Sequence, residues 1–189
     1  YFKIFKKYSK NILRTIGLLN KFQKLISIYK QRPRPDDDFE SKFINLIQQN
    51  DNFGESDFAS LCPGLFSSSL TNHGTIHQRI DEASLLWMMV KKSNGKILEI
   101  GRAAGGSTIL LLGASGNRNV VSIDRDPRQL TIANKVFNKS DVKQRIKLYN
   151  QSSRKNINID TYGFLFVDGD HSYDGVCFDI ARYWNQLEN

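Results

Sequence analysis

The sequence predicts an α/β fold: a doubly wound, mostly parallel sheet preceded by a helical extension. Three observations predict it. From residue 75 onward, short apolar runs alternate with segments of helical spacing. The first run, KILEI at 96–100, passes through a glycine-rich turn into a second apolar run, so a strand leads tightly into a helix. The basic charge is confined to the first 35 residues, which hold ten of the 27 Lys and Arg and no acid, while the rest carries 17 basic against 19 acidic residues.

Residues 1–50 read as a basic amphipathic extension. Phe5, Ile12, Leu19 and Ile26 recur every seven residues over a helix spanning 2–30, with Tyr8, Phe22 and Tyr29 between them and lysines on the other faces. Pro33 and Pro35 stop that helix, and 39–47 form a short second one. Residues 51–74, rich in Gly, Ser and Asn, read as an irregular connection. Residues 75–189 are the α/β domain. Thr75 and Gln78 have capping-box spacing before a helix whose apolar face is Ile76, Ile80, Ala83, Trp87 and Val90. Strands are expected at 96–100, 119–123, 145–149 and 163–167, and helices at 105–115, 127–138 and 173–187. Tyr1 is not an initiator Met and Asn189 stops inside a helical pattern, so the sequence reads as a fragment, truncated after strand four. Cys62 and Cys177 form no spaced framework and read as free thiols in a reducing compartment, which places the protein in the cytoplasm. No apolar run is long enough for a membrane span.

Ligands of such sheets bind outside the C-terminal strand ends. The turn reads E-x-G-x-x-x-G-G-S-T from Glu99 to Thr108, with Ala103 where a dinucleotide fingerprint requires glycine. Gly101 and Gly105 let the backbone approach a ligand, and the helix that follows offers free N–H groups to an anion such as a carboxylate. Glu99 would repel a pyrophosphate and suits an ammonium group, which favours an amino-acid-bearing nucleoside over a dinucleotide. Asp124, ending the second strand, is placed for ribose hydroxyls. A glycine-rich turn without a ligand is the competing reading, and acids at two strand ends argue against it. Asn150, Gln151 and Ser152 follow strand three and suit an adenine edge, though loop polarity explains them as well. After strand four, Asp168, Asp170 and His171 crowd one crevice, where carboxylates bind a divalent cation or take a proton, and Asp170 could equally cap the next helix. His73 and His77 read as surface or cap residues.

Together, LEIGRAAGGST and FVDGDHSYDGV resemble the class I S-adenosylmethionine-dependent methyltransferases, closest to the small-molecule O-methyltransferase branch (methyltransferase domain family 24-like) with DGDHSY after strand four. The resemblance covers residues 75–189 and implies a Rossmann-like fold. It implies that Gly101, Ala103 and Gly105 line the methionine part, that Glu99 lies near the methionine amino group, and that Asp124 holds the ribose. Ser107, Gln151, Ser152 and Asp168 join the cofactor-binding set. In related metal-dependent sugar and catechol enzymes, the acid matching Asp168 ligates a divalent metal such as Mg, and the one matching Asp170 is a general base; His171 joins Asp170 in the catalytic pair. Arg102 departs from the pattern and is expected to point to solvent.

The function implied is O-methylation of a small molecule such as a sugar or secondary metabolite. Two alternatives stand beside it: a nucleic-acid methyltransferase of the same fold, suggested by the basic N-terminus but opposed by the near-neutral domain, and a nucleotide-binding fragment without turnover. The extension is expected to pack as a lid or homodimer element, with an anionic membrane surface as the lesser reading.

Overall fold

The computed structural model describes residues 45, 48–49, 51–66, 75–128 and 131–188. The helix expected over 2–30, its dimer and membrane roles, and nearly all of the one expected over 39–47 lie outside the described residues. The chain divides into two units, Tyr1–Asp36 and Asp37–Asn189, and the second holds everything described below.

Four parallel strands form the sheet: β1 (Ile97–Ile100), β2 (Val120–Asp124), β3 (Ile146–Asn150) and β4 (Phe164–Val167), in the order β3-β2-β1-β4. All four expected strands are present, displaced by a residue at most at either end. β1 is central and wholly buried, which its composition, ILEI, allows because its one charged residue finds partners inside the protein. One face is covered by α1 (Phe58–Leu65), α2 (Ile80–Lys92), α3 (Gly106–Ala114), α4 (Thr131–Phe137) and the short α5 (Ser140–Lys143). On the other face, Leu98, Ile100 and Ile123 pack with Ile157, Ile159, Tyr162 and Tyr183, the last from α6 (Tyr173–Tyr183). α3 is buried on every side, since the sheet lies beneath it and α1 and α2 cover it; hence its apolar run ILLL.

Three expectations change. The connection is not irregular throughout: a 3-10 turn at Phe53–Glu55 and α1 stand within it, because Phe53, Leu61 and Leu65 bury completely or nearly so in the core despite the Gly- and Ser-rich surroundings. The helix expected from Thr75 begins instead at Ile80, where Glu82 accepts the Arg79 N–H at 2.9 Å. Thr75 donates its hydroxyl to the Gly64 carbonyl at 2.9 Å, Ile76 enters the core as part of an extended segment, and Ile80 is exposed while Leu86 takes its place on the buried face. The last helix ends at Tyr183 and tightens into a 3-10 turn, Trp184–Gln186.

Two glycines fix how closely the parts approach. At Gly101, φ is 98°, and a Cβ there would lie 2.3 Å from the Asp168 carbonyl oxygen, so the end of β1 meets the end of β4 backbone to backbone. At Gly106, a Cβ would lie 2.2 Å from the Thr75 carbonyl oxygen, which lets the 75–79 segment lie across the start of α3. We expect Gly101→Ala, which combines the unfavourable φ with the collision, to lower unfolding free energy by more than about 2 kcal/mol, measured as a reduced urea midpoint at unchanged m-value.

Candidate functional site

Strand register assembles the site. β1 and β2 pair with Glu99 opposite Ser122, and β2 and β3 pair with Asp124 opposite Asn150. The Glu99 carboxylate is completely buried and accepts three hydroxyls: Ser107 at 2.5 Å, Thr108 at 2.6 Å and Ser122 at 2.5 Å. Burial pushes its pKa up, and the hydroxyls and the Arg102 charge pull the other way.

Arg102 does not point to solvent. Only 1 % exposed, it turns inward across the strand ends and donates to the Ser122 carbonyl at 3.1 Å, the Ser122 hydroxyl at 3.3 Å and the Asn150 amide oxygen at 2.5 Å. A guanidinium offers five donors in a planar fork, and three acceptors at the ends of β2 and β3 fit it better than water at the crowded turn. Ser122 thereby links Arg102 to Glu99.

Asp124 holds the turn from outside. Its Oδ2 accepts the N–H groups of Arg102 and Ala103 at 2.8 and 2.7 Å, and its Oδ1 accepts that of Asp126 at 2.6 Å. Ala103 sits at φ 44°, a left-handed conformation that costs an L-residue roughly 1–2 kcal/mol. Gly105, at φ 94°, precedes α3 and gives it no side-chain cap, so the first-turn N–H groups of Gly106, Ser107 and Thr108 have no acceptor within the helix.

A cavity of about 380 Å³ opens at the C-terminal strand ends, lined among others by Gly101, Ala103, Asp124, Ser152, Asp168, Asp170 and His171. A second, of about 300 Å³, shares Gly101, Ala103, Asp168 and His171 with it and adds Gln78, Glu82 and Ser107. Of the residues expected at the site, Glu99, Gly105 and Gln151 line neither cavity. Glu99 lies beneath the turn, and Asn150 is occupied by Arg102.

The two acids after β4 differ sharply. Asp168 is half-buried and its Oδ2 accepts the Gln78 amide at 2.5 Å; burial pushes its pKa up, opposed by His171, Gln78 and His77, with Glu82 adding to the rise. Asp170 is exposed, and its Oδ1 accepts the Ser172 N–H at 3.0 Å; that bond, the Ser172 hydroxyl, and the charges of Arg154 and Arg125 hold its pKa down. The helix cap is Ser172, which accepts the Gly175 N–H at 3.1 Å; Asp170 braces the residue before the helix. Among the described residues, no three His, Cys, Asp or Glu side chains converge to hold a metal ion. Asp168 alone does not make a metal centre.

The sequence reading missed several lining residues: His77 and Gln78 from the segment over α3, Arg125 and Arg128 after β2, Arg154 after β3, and Asp179 from α6. Arg125 could have been found from its place beside Asp124 at a strand end, and Asp179 from its position one helical turn after Gly175. No local signal marks His77 or Gln78.

Residues 98–189 match the family model described as a methyltransferase domain, a span that begins in β1 and includes every later strand. No curated protein matches the sequence. Among solved structures, the chain is similar to an SAH-bound methyltransferase of Podospora anserina, with TM-score 0.50 and 16% identity over 89% of this chain and 66% of that one. It is similar also to an O-methyltransferase from Bacillus cereus in complex with SAH (TM-score 0.47, 18% identity, 82% and 63% covered). A third is a Streptomyces achromogenes O-methyltransferase involved in tomaymycin synthesis, in complex with SAM (TM-score 0.42, 16% identity, 85% and 63% covered). The chain spans less than two thirds of the length of each. Residues 98–189 are thus similar to a methyltransferase domain, and the four-stranded parallel sheet has the Rossmann-like fold expected from the sequence.

Removing the buried guanidinium should be costly. Arg102→Met leaves the Asn150 amide oxygen and the Ser122 carbonyl without their donor, and we expect it to lower stability by about 2–4 kcal/mol in urea unfolding.

Proposed function

We propose that this chain provides the S-adenosylmethionine-binding part of an O-methyltransferase acting on a small molecule. One observation carries the reading: a single cavity gathers the glycine turn, Asp124 and the acids after β4 at adjacent strand ends, beside the uncapped start of α3. The donor set suits the cofactor. Its carboxylate would meet the N–H groups of Gly106 and Ser107, and its ribose hydroxyls would meet Asp124, whose carboxylate keeps lone pairs beyond those the turn occupies. Glu99 acts beneath the turn, holding α3 and β2 in place through Ser107, Thr108 and Ser122. The SAH-bound Podospora anserina methyltransferase, whose fold this chain shares, supports the same ligand class.

The cofactor supplies a methyl group activated on a sulfonium. The chain's own residues would position the acceptor and take its proton. Asp168, with a raised pKa, is better matched to proton uptake near neutral pH than Asp170, whose depressed pKa makes it a weak base. On this reading Asp168 takes the proton, the role that the resemblance gives to Asp170, and Asp170 braces the turn before α6. His171 flanks Asp168 and steadies its charged form. The second cavity, lined among others by His77, Gln78, Glu82 and Asp168, offers hydrogen-bonding side chains that suit a hydroxyl-rich acceptor such as a sugar. No metal-dependent step is assigned to the described residues. Among them, no helix is long and apolar enough to cross a membrane.

Calorimetry with S-adenosylhomocysteine tests the reading. We expect the chain to bind it, with equal affinity in EDTA, and Asp124→Asn to weaken binding at least tenfold. A folded chain that gives no binding heat at high-micromolar ligand would remove the proposal.

The Asp168 assignment also predicts a pH signature. Its folded pKa lies above the ordinary 3.8, so the stability it contributes is complete below that value and is lost as pH rises through the raised folded pKa. Asp168→Asn should therefore gain stability relative to wild type across the same window, read as a diverging pair of urea midpoints, while methyl transfer to any acceptor that wild type accepts falls at least 100-fold.

A further inference from the structure

α2 has two apolar faces, and the domain covers one of them. Ala83, Leu86, Trp87 and Val90 are buried in the core. On the other side Leu85 is 54% exposed, Met88 50% and Met89 51%. With Ile80 they make four of the seven large apolar side chains exposed among the described residues. Exposed apolar residues scattered singly are ordinary, whereas several gathered on one helix mark a surface for an interaction.

The order of residues along that side says what covers it. Asp81, Leu85, Met88 and Lys92 follow one another at the alternating four- and three-residue spacing of a seam between two packed helices. The seam is acidic in its first turn, apolar in its middle and basic in its last: Asp81 and Glu82 open the helix, and Lys91 and Lys92 close it. A second copy of α2 laid antiparallel sets Asp81 against Lys92 of that copy and Leu85 against its Met88, and the two-fold axis repeats both contacts. A parallel copy would set acid on acid and lysine on lysine. Antiparallel pairing also aligns the two helix dipoles favourably. Arg79 holds Asp81 at 3.1 and 3.2 Å, but both side chains are exposed and such a pair contributes little, so the carboxylate is able to take a second cation. Methionine suits the middle of the seam, because its unbranched side chain adapts to the surface it meets. The helical extension first expected to pair two copies lies outside the described residues; this seam belongs to α2.

We propose that the outer seam of α2 pairs two copies of this chain antiparallel, with Leu85 and Met88 interlocking at the centre and Asp81 meeting Lys92 at each end. The contact is confined to a helix of 13 residues, about 20 Å long, and so falls below the ~1,200 Å² of a standard interface. The dimer is therefore weak and forms as concentration rises. Glu82, next to Asp81 in the first turn, lines the smaller cavity, so the seam begins at the rim of that cavity.

Sedimentation velocity on the whole chain tests the pairing. Between about 1 and about 300 μM the weight-average mass should rise from monomer toward dimer, as befits so small an interface. Leu85→Glu and Met88→Glu alter side chains that are half exposed in the monomer, so each should leave the melting temperature at low concentration unchanged and abolish the dimer across that range. Asp81→Lys or Lys92→Asp alone should raise the dimer dissociation constant about fivefold, since each breaks two symmetry-related pairs, and the two together should restore it to within about twofold of wild type. Met88 and Met89 are the only methionines of the chain, so peroxide oxidation followed by mass spectrometry reads the seam directly: Met88 should oxidise more slowly at the high concentration than at the low one. A chain that stays monomeric throughout overturns the proposal, and equal protection of Met88 at both concentrations would then assign the stripe to cover by another part of the same chain. A dimer that survives Leu85→Glu overturns it as well, and so does a double charge reversal that fails to recover what the single reversals lose.

Discussion

The buried carboxylate of Glu99 organises this domain. A carboxyl group at the centre of a sheet is tolerated only when its neighbours answer it, and three hydroxyls from two elements do so here: Ser107 and Thr108 from α3, and Ser122 from β2. Through Ser122 the network reaches Arg102, and through Arg102 it reaches Asn150 at the end of β3. Thus one acid in the central strand ties together the helix, two strands and the turn between them. Asp124 closes the same turn from its solvent side by accepting two of its N–H groups. The cavity floor is held from below by buried polar bonds and from above by a partly buried carboxylate.

This arrangement alters what the acids at the strand ends mean. Glu99 and Asp124 both look like ligand contacts when only their positions along the chain are known. In three dimensions Glu99 is spent on the scaffold, and Asp124 divides its oxygens between the scaffold and the cavity. The pair after β4 divides in another way. Partial burial pushes the Asp168 pKa up, whereas a backbone N–H, a hydroxyl and two arginines hold that of Asp170 down. Environments that separate two neighbouring carboxyls in this manner give each a distinct chemical capacity.

The strands were legible because a parallel sheet covered on both faces leaves short apolar runs that few other structures require. The glycine turn and the acid ending β2 were legible because they sit at fixed places relative to those runs. Less was legible where contact partners are distant in the chain. α1 was hidden because it is only eight residues long, carries Pro63 and Gly64 in its own sequence and lies among glycine and serine, and its apolar residues join the core that α3 occupies. The start of α2 was misplaced because Thr75 and Gln78 spend their side chains on Gly64 and Asp168, partners 11 and 90 residues away, so neither is free to cap a helix. Arg102 was misread for the same reason: its acceptors belong to β2 and β3, and no rule of local spacing announces them.

One consequence concerns how the domain comes apart. α3 is nine residues long and buried along its whole length, with the sheet below it and α1 and α2 above. A helix that short has little tendency to persist alone in water, and this one has no solvent face on which to fray. It cannot open while its cover stays closed, so its hydrogen-bonded amide protons, those beyond the first turn that lines the cavity, should exchange only through unfolding of most of the domain. The turn it carries inherits the same cooperativity. A ligand seated at the first turn of α3 would thus be felt less as a local stiffening than as slower exchange throughout the sheet, because the weakest route to exposing its site is the loss of the whole layer.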